Sequence, residues 1–474
     1  VYSLDRNDTV VKTYNLNNPL TIEITSSKDV CEAVSNVSGR IFWGNLSGGV
    51  GNTTEWWSHE TWYGDATSSG SQISHWVHDI SNGGGGWDAT VAAGKYYVAA
   101  RDGAGCIVTD TVEIGSKSQQ TIYVSTSGDN ANSGTELSPY QTLKYAVSQS
   151  CDQDTIILLD GVYLEDSILV QNQVIIASEF ILDGNVSHIA QTTVRGSHTN
   201  AVFYYRNVGS INADTLHSQL VGITIEGGNN PASDRAGGVD IIDAIVKIDH
   251  SVIQNNQGHI GGGVAAYGWN TRLVISNSTI ANNTSTGSSG GLDIREIRRL
   301  YLRNTRISEN TSNGDNGGAR IRYIQYATIT DLVVEDNYSN GSYPVGEWYI
   351  NGAGIFRNIT LRNNVGGNNS NHSFRFRQEG WNDPAPNSPI TFYNLQLTGN
   401  VTQSWPSMYI DGSTQVSLVN SLVSDNTSRN TSDWYQKGNI AISDNTHLRL
   451  LNSIVTKNNG LSIIGNGCGT SNVS

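Results

Sequence analysis

The chain has 474 residues, 28 Lys and Arg against 42 Asp and Glu, and a formal net charge of −14, which argues against nucleic acid or an anionic membrane as partner. Only 15% of residues are charged and 51 are glycine; the length exceeds one compact domain but suits a solenoid with an appended unit. No apolar run approaches the roughly 20 residues that span a bilayer.

Residues 1–116 have a texture of their own. Thr21-Ile22-Glu23-Ile24 and Tyr96-Tyr97-Val98-Ala99 alternate like sandwich strands, and Val108 to Ile114 reads as a last strand. Six of the chain's 11 Trp lie here: Trp43, Trp56, Trp57, Trp62, Trp76 and Trp87. Cys31 follows an early strand and Cys106 precedes the last one. A disulfide between them would staple the two, and two free buried thiols are the alternative. The start at Val1 leads us to expect that a signal peptide has been removed.

The stretches Thr25 to Cys31, Ser47-Gly48-Gly49, and Val91 to Val98 with Asp102 to Cys106 carry a resemblance. They resemble the short immunoglobulin-like repeats of gliding-motility adhesins in the Bacteroidota, over about a fifth of the chain. Asn52 to Gly86 departs from that pattern as a Trp-rich insertion. The resemblance implies an immunoglobulin-like β-sandwich, secretion and type IX export.

Residues 117–120 read as a linker. Ile122 to Ser125 is a strand, and Ser138-Pro139-Tyr140-Gln141 has the form of a capping box, with Ser138 at N-cap. Tyr140, Leu143, Ala146 and Val147 would share one apolar face of a helix near 138–150, which plugs the open end of a solenoid. This stretch resembles the N-terminal cap of many secreted right-handed β-helix proteins, polysaccharide lyases among them.

A repeat then runs to the last residues. An aliphatic residue is followed three positions later by Asn or Gly at Ile225, Ile253, Ile280, Ile307, Val334, Leu361, Leu397, Val423 and Val455. From Asn256 through Asn283, Asn310 and Asn337 to Asn364 every step is 27 residues, and it then loosens to 36, 26 and 32. Gly-Gly-aliphatic runs such as Gly262-Gly263-Val264 and Gly290-Gly291-Leu292 open alternating strands. Three short strands per 27 residues predict a right-handed parallel β-helix over 121–474, of about 13 coils and on the order of 60 Å long. The repeated Asn residues are expected to be structural, bonding coil to coil. The two motifs resemble those of the β-helix passengers of bacterial surface proteins, with Ile, Val or Leu here where that family often has Phe. That implies display outside the cell. The pattern carries no stop signal, so the natural chain is expected to continue.

Alternation also predicts an outward face of the first strand: Asp240, Ala265, Asp293, Arg320, Tyr349, Arg375, Tyr409 and Ala441, then Arg295, Arg322, Arg377, Asp411 and Ser443. A lyase could use Arg320, Arg322, Arg375 and Arg377 with Asp293, the cations neutralising a uronate carboxylate. The contrary expectation is a ladder of charges that neutralise one another across coils. The loops after each Asn offer aromatics instead: Trp348, Trp405, Trp434 and Tyr435, with Trp381 in a second kind of insertion. Exposed Trp suits stacking on sugar rings or docking a protein. No metal spacing is present, and Ca2+ enters only with the lyase reading. The sequence therefore predicts a non-catalytic surface adhesin or appendage component that binds glycans or proteins. A homo-oligomer or a larger surface assembly is compatible with it. The alternative is a polysaccharide lyase acting on an acidic glycan.

Overall fold

The computed structural model describes residues 119–458 with their side chains, apart from 210–217, 231–234, 379–388, 405–406, 413–414, 430–438 and 443–445; beyond these it describes strand backbone only. The chain divides into two units, Val1–Gln119 and Gln120–Ser474. The first carries two three-stranded antiparallel sheets. One orders Thr21–Lys28, Gly39–Ser47 and Trp87–Val91, and the other Glu60–Asp65, Gly94–Arg101 and Ile107–Ile114. Val30–Cys31 pairs with Ser116–Lys117. The side chains of Cys31 and Cys106 lie outside the described residues. Cys151, for which the sequence suggests no partner, is disulfide-bonded. Only Cys468 as its partner is compatible with a Cys31–Cys106 bridge.

The second unit is a right-handed parallel β-helix. Its second sheet stacks thirteen strands, from Thr121–Val124 through Ile245–Asp249, Arg272–Ser276 and Arg299–Ser308 to Asn472–Val473. The aliphatic residues of the repeat fill the interior: Ile253, Ile280, Ile307, Val334, Leu361 and Leu397 are all fully buried. The residue before each repeat Asn supplies the bend. Asn255, Asn282, Glu309, Asp336, Asn363 and Asp425 sit at φ between 54° and 58°. Asn and Asp tolerate this left-handed conformation better than most residues.

That bend turns the next Asn inward. Asn283 Nδ2 donates to Asn310 Oδ1 at 3.0 Å and to the Ile253 carbonyl at 2.9 Å, and its own Oδ1 accepts from Asn256 Nδ2 at 3.1 Å. The pattern repeats from Asn256 to Asn458. Two features go beyond the sequence reading. A further sheet of eight short strands, from Asn229–Asn230 to Thr427–Ser428, occupies the stretch expected to be polar loop. A second amide ladder runs along an exposed corner, where Asn304, Asn394 and Asn452 donate to Asn277, Asn358 and Asn420 at 2.8–2.9 Å.

The capping helix starts later than predicted. Helix α1 is Leu143–Gln149, and its N-cap is Thr142, whose hydroxyl accepts from the Tyr145 N–H. Ser138 instead bridges Thr135, and Tyr140 pairs with Val124. Asn130 Oδ1 takes the Gln141 and Thr142 N–H groups and holds the chain extended up to that point. The predicted apolar face is right: Leu143, Ala146 and Val147 are buried, with Tyr140 packed against the core.

Two further short helices, α2 (Phe180–Asp183) and α3 (Ser187–Gln191), form a hairpin without a sequence signal. His188 clasps it, with Nδ1 2.8 Å from Asp160 Oδ1 and Nε2 3.4 Å from Asp183 Oδ2. The Asp160 hydrogen bond, helped by both carboxylate charges, raises the His188 pKa above its ordinary value. The clasp therefore contributes stability that is complete below the unfolded pKa of about 6.5 and lost as pH rises through the folded value. Hydrogen exchange in the α2–α3 hairpin should accelerate across that window. His188→Gln should exchange fast at every pH; unchanged protection in that variant would remove the clasp.

Candidate functional site

The outward face of the first sheet is a closed charge ladder. Its register aligns Asp240, Ala265, Asp293, Arg320, Glu347, Arg375 and Tyr409 on successive coils. Glu347 stands where Tyr349 was expected, and Tyr349 lies one pleat on, opposite Arg377. Asp293 is 1% exposed, with Arg295 Nε at 2.8 Å and Arg320 at 2.5 Å. Glu347, equally buried, pairs with Arg322 and with Arg375 at 3.0 Å, and accepts the Tyr349 hydroxyl. Asp411 takes Arg375 at 2.5 Å and lies 3.7 Å from Arg377. The guanidinium carbons of Arg322, Arg375 and Arg377 sit 5.1, 5.1 and 5.6 Å from the Tyr349 ring centre.

These partners fix the ionisation states. Burial works against charge on Arg375, but the Asp411 hydrogen bond and charge outweigh it and raise its pKa. Burial, and then Glu347, push the Tyr349 phenol well above its usual range. Asp240 goes the other way from a surface carboxylate: burial raises its pKa despite Arg206 and Arg235. The arginines proposed for a lyase are thus committed to carboxylates of their own sheet.

The aromatic-loop site is only in part within view. Trp348 is a correction: it is fully buried on an inward strand position, 4.9 Å from Phe374 in an edge-to-face pair, and its indole N–H has no hydrogen-bond partner among the described residues. The strand pleat places it inside because its neighbour Glu347 points out. Trp381, Trp405, Trp434 and Tyr435 lie outside the described residues. Tyr343, in the turn before Trp348, is half-buried and turns onto the ladder, stacking on His372 with its hydroxyl 3.4 Å from Arg375.

An open groove lies on the second sheet. It has a volume of about 1070 Å³, just above the roughly 300–1,000 Å³ that hold a drug-sized ligand. Lys247, Arg272, Arg303 and Arg357 line it, against Asp249 and Asp331. Lys247 is tied to Asp249 at 2.8 Å. Burial alone would raise the Asp249 pKa, but hydrogen bonds from Lys247, Asn277 and Ser276 bring it below its ordinary value. Arg272, Arg303 and Arg357 have no carboxylate partner among the described residues. Arg272 lies over the Tyr301 ring at 5.5 Å, and Arg357 over Tyr393 at 5.3 Å. Single exposed arginines are ordinary, but three unpaired in one groove of a chain with net charge −14 are a local reversal of sign. The sequence reading missed this set. The signal was available, because the 27-residue step applied to the second strand aligns Ser276, Arg303, Thr330 and Arg357.

Asp160, Glu179 and His188 are the donors that could share a cation among the described residues, their ligand atoms lying within 4.8 Å. The sequence offers no spacing that marks them. Among the described residues, no helix is long and apolar enough to cross a membrane.

No protein-family model matches the chain, and no curated protein does. Among solved structures, the chain is similar to the family 28 exopolygalacturonase of Yersinia enterocolitica at 9% identity and TM-score 0.34, covering 96% of this chain and 98% of that one. It is also similar to a GH136 lacto-N-biosidase from Eubacterium ramulus at 10% identity and TM-score 0.23, covering 75% and 67%. With TM-scores under 0.5, neither likeness bears on function.

Proposed function

We propose that this chain is an extracellular β-helix protein that binds an acidic glycan along the second-sheet groove. The observation that carries the reading is the set of Arg272, Arg303 and Arg357, unpaired in an open groove while the neighbouring sheet neutralises its own charges. Guanidinium groups bind carboxylates in a planar, bidentate manner, and the Tyr301 ring lines the same groove. Disulfide bonding of Cys151 fits an oxidising location. Surface display as an adhesin accords with this binding role.

Cleavage by β-elimination is the second reading. Arg303 or Arg357 would neutralise the uronate carboxylate; Tyr301, in the same groove, would as phenolate take the C5 proton and return it to the C4 oxygen, so that the C4–O bond breaks as the C4–C5 double bond forms.

The test is binding and turnover on polygalacturonate, alginate, hyaluronate and a neutral glucan. Acidic polymers should bind and the neutral one should not, with affinity falling as salt rises. Arg303→Ala and Arg357→Ala should each weaken binding about tenfold, the loss expected for a charge-assisted contact of about 1.4 kcal/mol. Equal binding of the neutral glucan, or no effect of either substitution, overturns the reading. If Trp405→Ala and Trp434→Ala abolish binding while the Arg variants do not, the loop-borne adhesin site replaces it. An unsaturated product, seen by absorbance and lost in Tyr301→Phe, establishes cleavage.

A further inference from the structure

The groove does more than present positive charge: along one column its two arginines, Arg303 and Arg357, stand two coils apart. One outward column of the second sheet reads Ser276, Arg303, Thr330 and Arg357 on four successive coils. The column beside it reads Val274, Tyr301, Thr328 and Ile355. Coils in a parallel stack are about 4.8 Å apart, so Arg303 and Arg357 are separated by about 10 Å along the axis. Between them lie the hydroxyls of Thr330 and Thr328, and no cation.

The intervening coil also carries a repulsive element. Asp331 lines the groove beside Thr330, is exposed, and has an ordinary hydrogen bond from Asn358 at 2.8 Å but no cation partner among the described residues. A carboxylate placed there would meet a like charge, which is how a site selects against a competitor as well as for its ligand. On the far side of Arg303 the column continues with neutral Ser276, itself hydrogen-bonded to Asp249.

A pyranose ring and its glycosidic bond advance an extended chain by close to one coil. A glycan laid along the stack would therefore place one sugar against each coil. We infer that the groove reads an acidic glycan of alternating repeat, with an anionic sugar against Arg303, a neutral sugar against Thr328 and Thr330, and a second anionic sugar against Arg357. This rests on the acidic-glycan reading above and specifies its substrate class: one acid per disaccharide rather than one per sugar.

The experiment compares size-defined oligosaccharides carrying equal numbers of carboxylates. One series alternates glucuronate with N-acetylglucosamine, and the other is oligogalacturonate, with an acid on each sugar. Isothermal titration on the full chain should give at least tenfold tighter binding of the alternating series. Asp331→Asn and Thr330→Arg should each narrow that preference by improving the oligogalacturonate arm. Arg303→Ala and Arg357→Ala should weaken the alternating arm equally. Circular dichroism and melting temperature identify any variant that fails to fold, and Asp331→Asn, exposed and isosteric, keeps the question answerable if Thr330→Arg does. Equal affinity for both series, lost in the Arg variants, overturns the alternating register while leaving acidic-glycan binding standing. Tighter binding of oligogalacturonate overturns it likewise. Failure of both series to bind overturns the register and the function together.

Discussion

Glu347→Ala should destabilise the β-helix by about 3 kcal/mol, the lower end of what removing one member of a buried ion pair costs. Glu347 is 1% exposed and accepts from Arg322, Arg375 and the Tyr349 hydroxyl. Truncation leaves two guanidinium groups facing a third, Arg377, across the Tyr349 ring. Arg375 keeps Asp411, whereas Arg322 keeps no carboxylate partner, and its side chain is 31% exposed, so water offsets part of the loss. Glu347→Gln, which still accepts the hydroxyl but carries no charge, should fall between parent and Ala variant. Urea unfolding measures all three. A loss under about 1 kcal/mol would show that the ladder behaves like surface ion pairs and is open to solvent. Glycan binding at the second-sheet groove should be unchanged in the folded variant.

The fold was legible because its signal is periodic. The Asn256–Asn364 spacing names the stack, and alternation names the buried residues, from Ile253 to Leu397. The ladder was legible in kind: Asp293 with Arg320 was foreseen as mutual neutralisation. Its keystone was not. Stepping 27 residues from Arg320 arrives at Glu347, but reading Trp348 as a loop residue displaces the alignment by two residues to Tyr349. A Trp beside a Gly-rich turn invites that placement; only the pleat, set by pairing of Ile321 with Trp348, sends the indole inward. The α1 start failed for a different reason. Ser138-Pro139 satisfies the local rules for a helix start, yet Asn130, from a preceding loop, claims the amides those rules would have used. Such a competition between a local cap and a tertiary hydrogen bond leaves no mark in the local sequence.

The signal of the groove lies in the register of the second strand rather than in a local motif. Exposed arginines at Arg303 and Arg357 carry no local motif, and each alone reads as a solvated side chain. What distinguishes them is the lack of a carboxylate on either neighbouring coil of their column, where Ser276 and Thr330 stand. On the first sheet Arg295, Arg320, Arg322, Arg375 and Arg377 each have a carboxylate within reach. The same repeat thus builds one face that satisfies itself and one that does not, and the second is where a ligand gains most by binding.

Replacing one rung of the interior Asn ladder should be among the most damaging single changes, and the choice of replacement should make the damage depend on pH. Asn310 Oδ1 accepts from the Asn283 N–H and amide at 3.0 Å each, while its Nδ2 donates to the Ile280 carbonyl and to Asn337 Oδ1 at 2.9 Å each. Asn310→Ala removes all four side-chain bonds; Asn337 Oδ1 keeps the backbone N–H of residue 310 and the Asn283 amide keeps the Ile253 carbonyl, but the Asn283 N–H and the Ile280 carbonyl lose this partner. Buried polar groups cost about 1–3 kcal/mol each when unsatisfied, and a loss of about 3–5 kcal/mol is expected. Asn310→Asp keeps the shape but sets a carboxylate oxygen against two acceptors. Folding then favours the protonated acid, so the folded pKa rises above the unfolded value of about 3.9. As pH increases, the unfolded chain releases its proton first and the folded chain binds more protons. Stability of the Asp variant relative to its parent should therefore fall from about pH 4 until the folded pKa is passed, and level off above it. The Ala variant should show no such slope. Parallel unfolding of parent, Ala and Asp variants at pH 4, 5.5 and 7 separates the two. A gap between parent and Asp variant that does not widen with pH would mean the ladder's donors are not held against their acceptors, and that the Asn column fills space without bonding coil to coil.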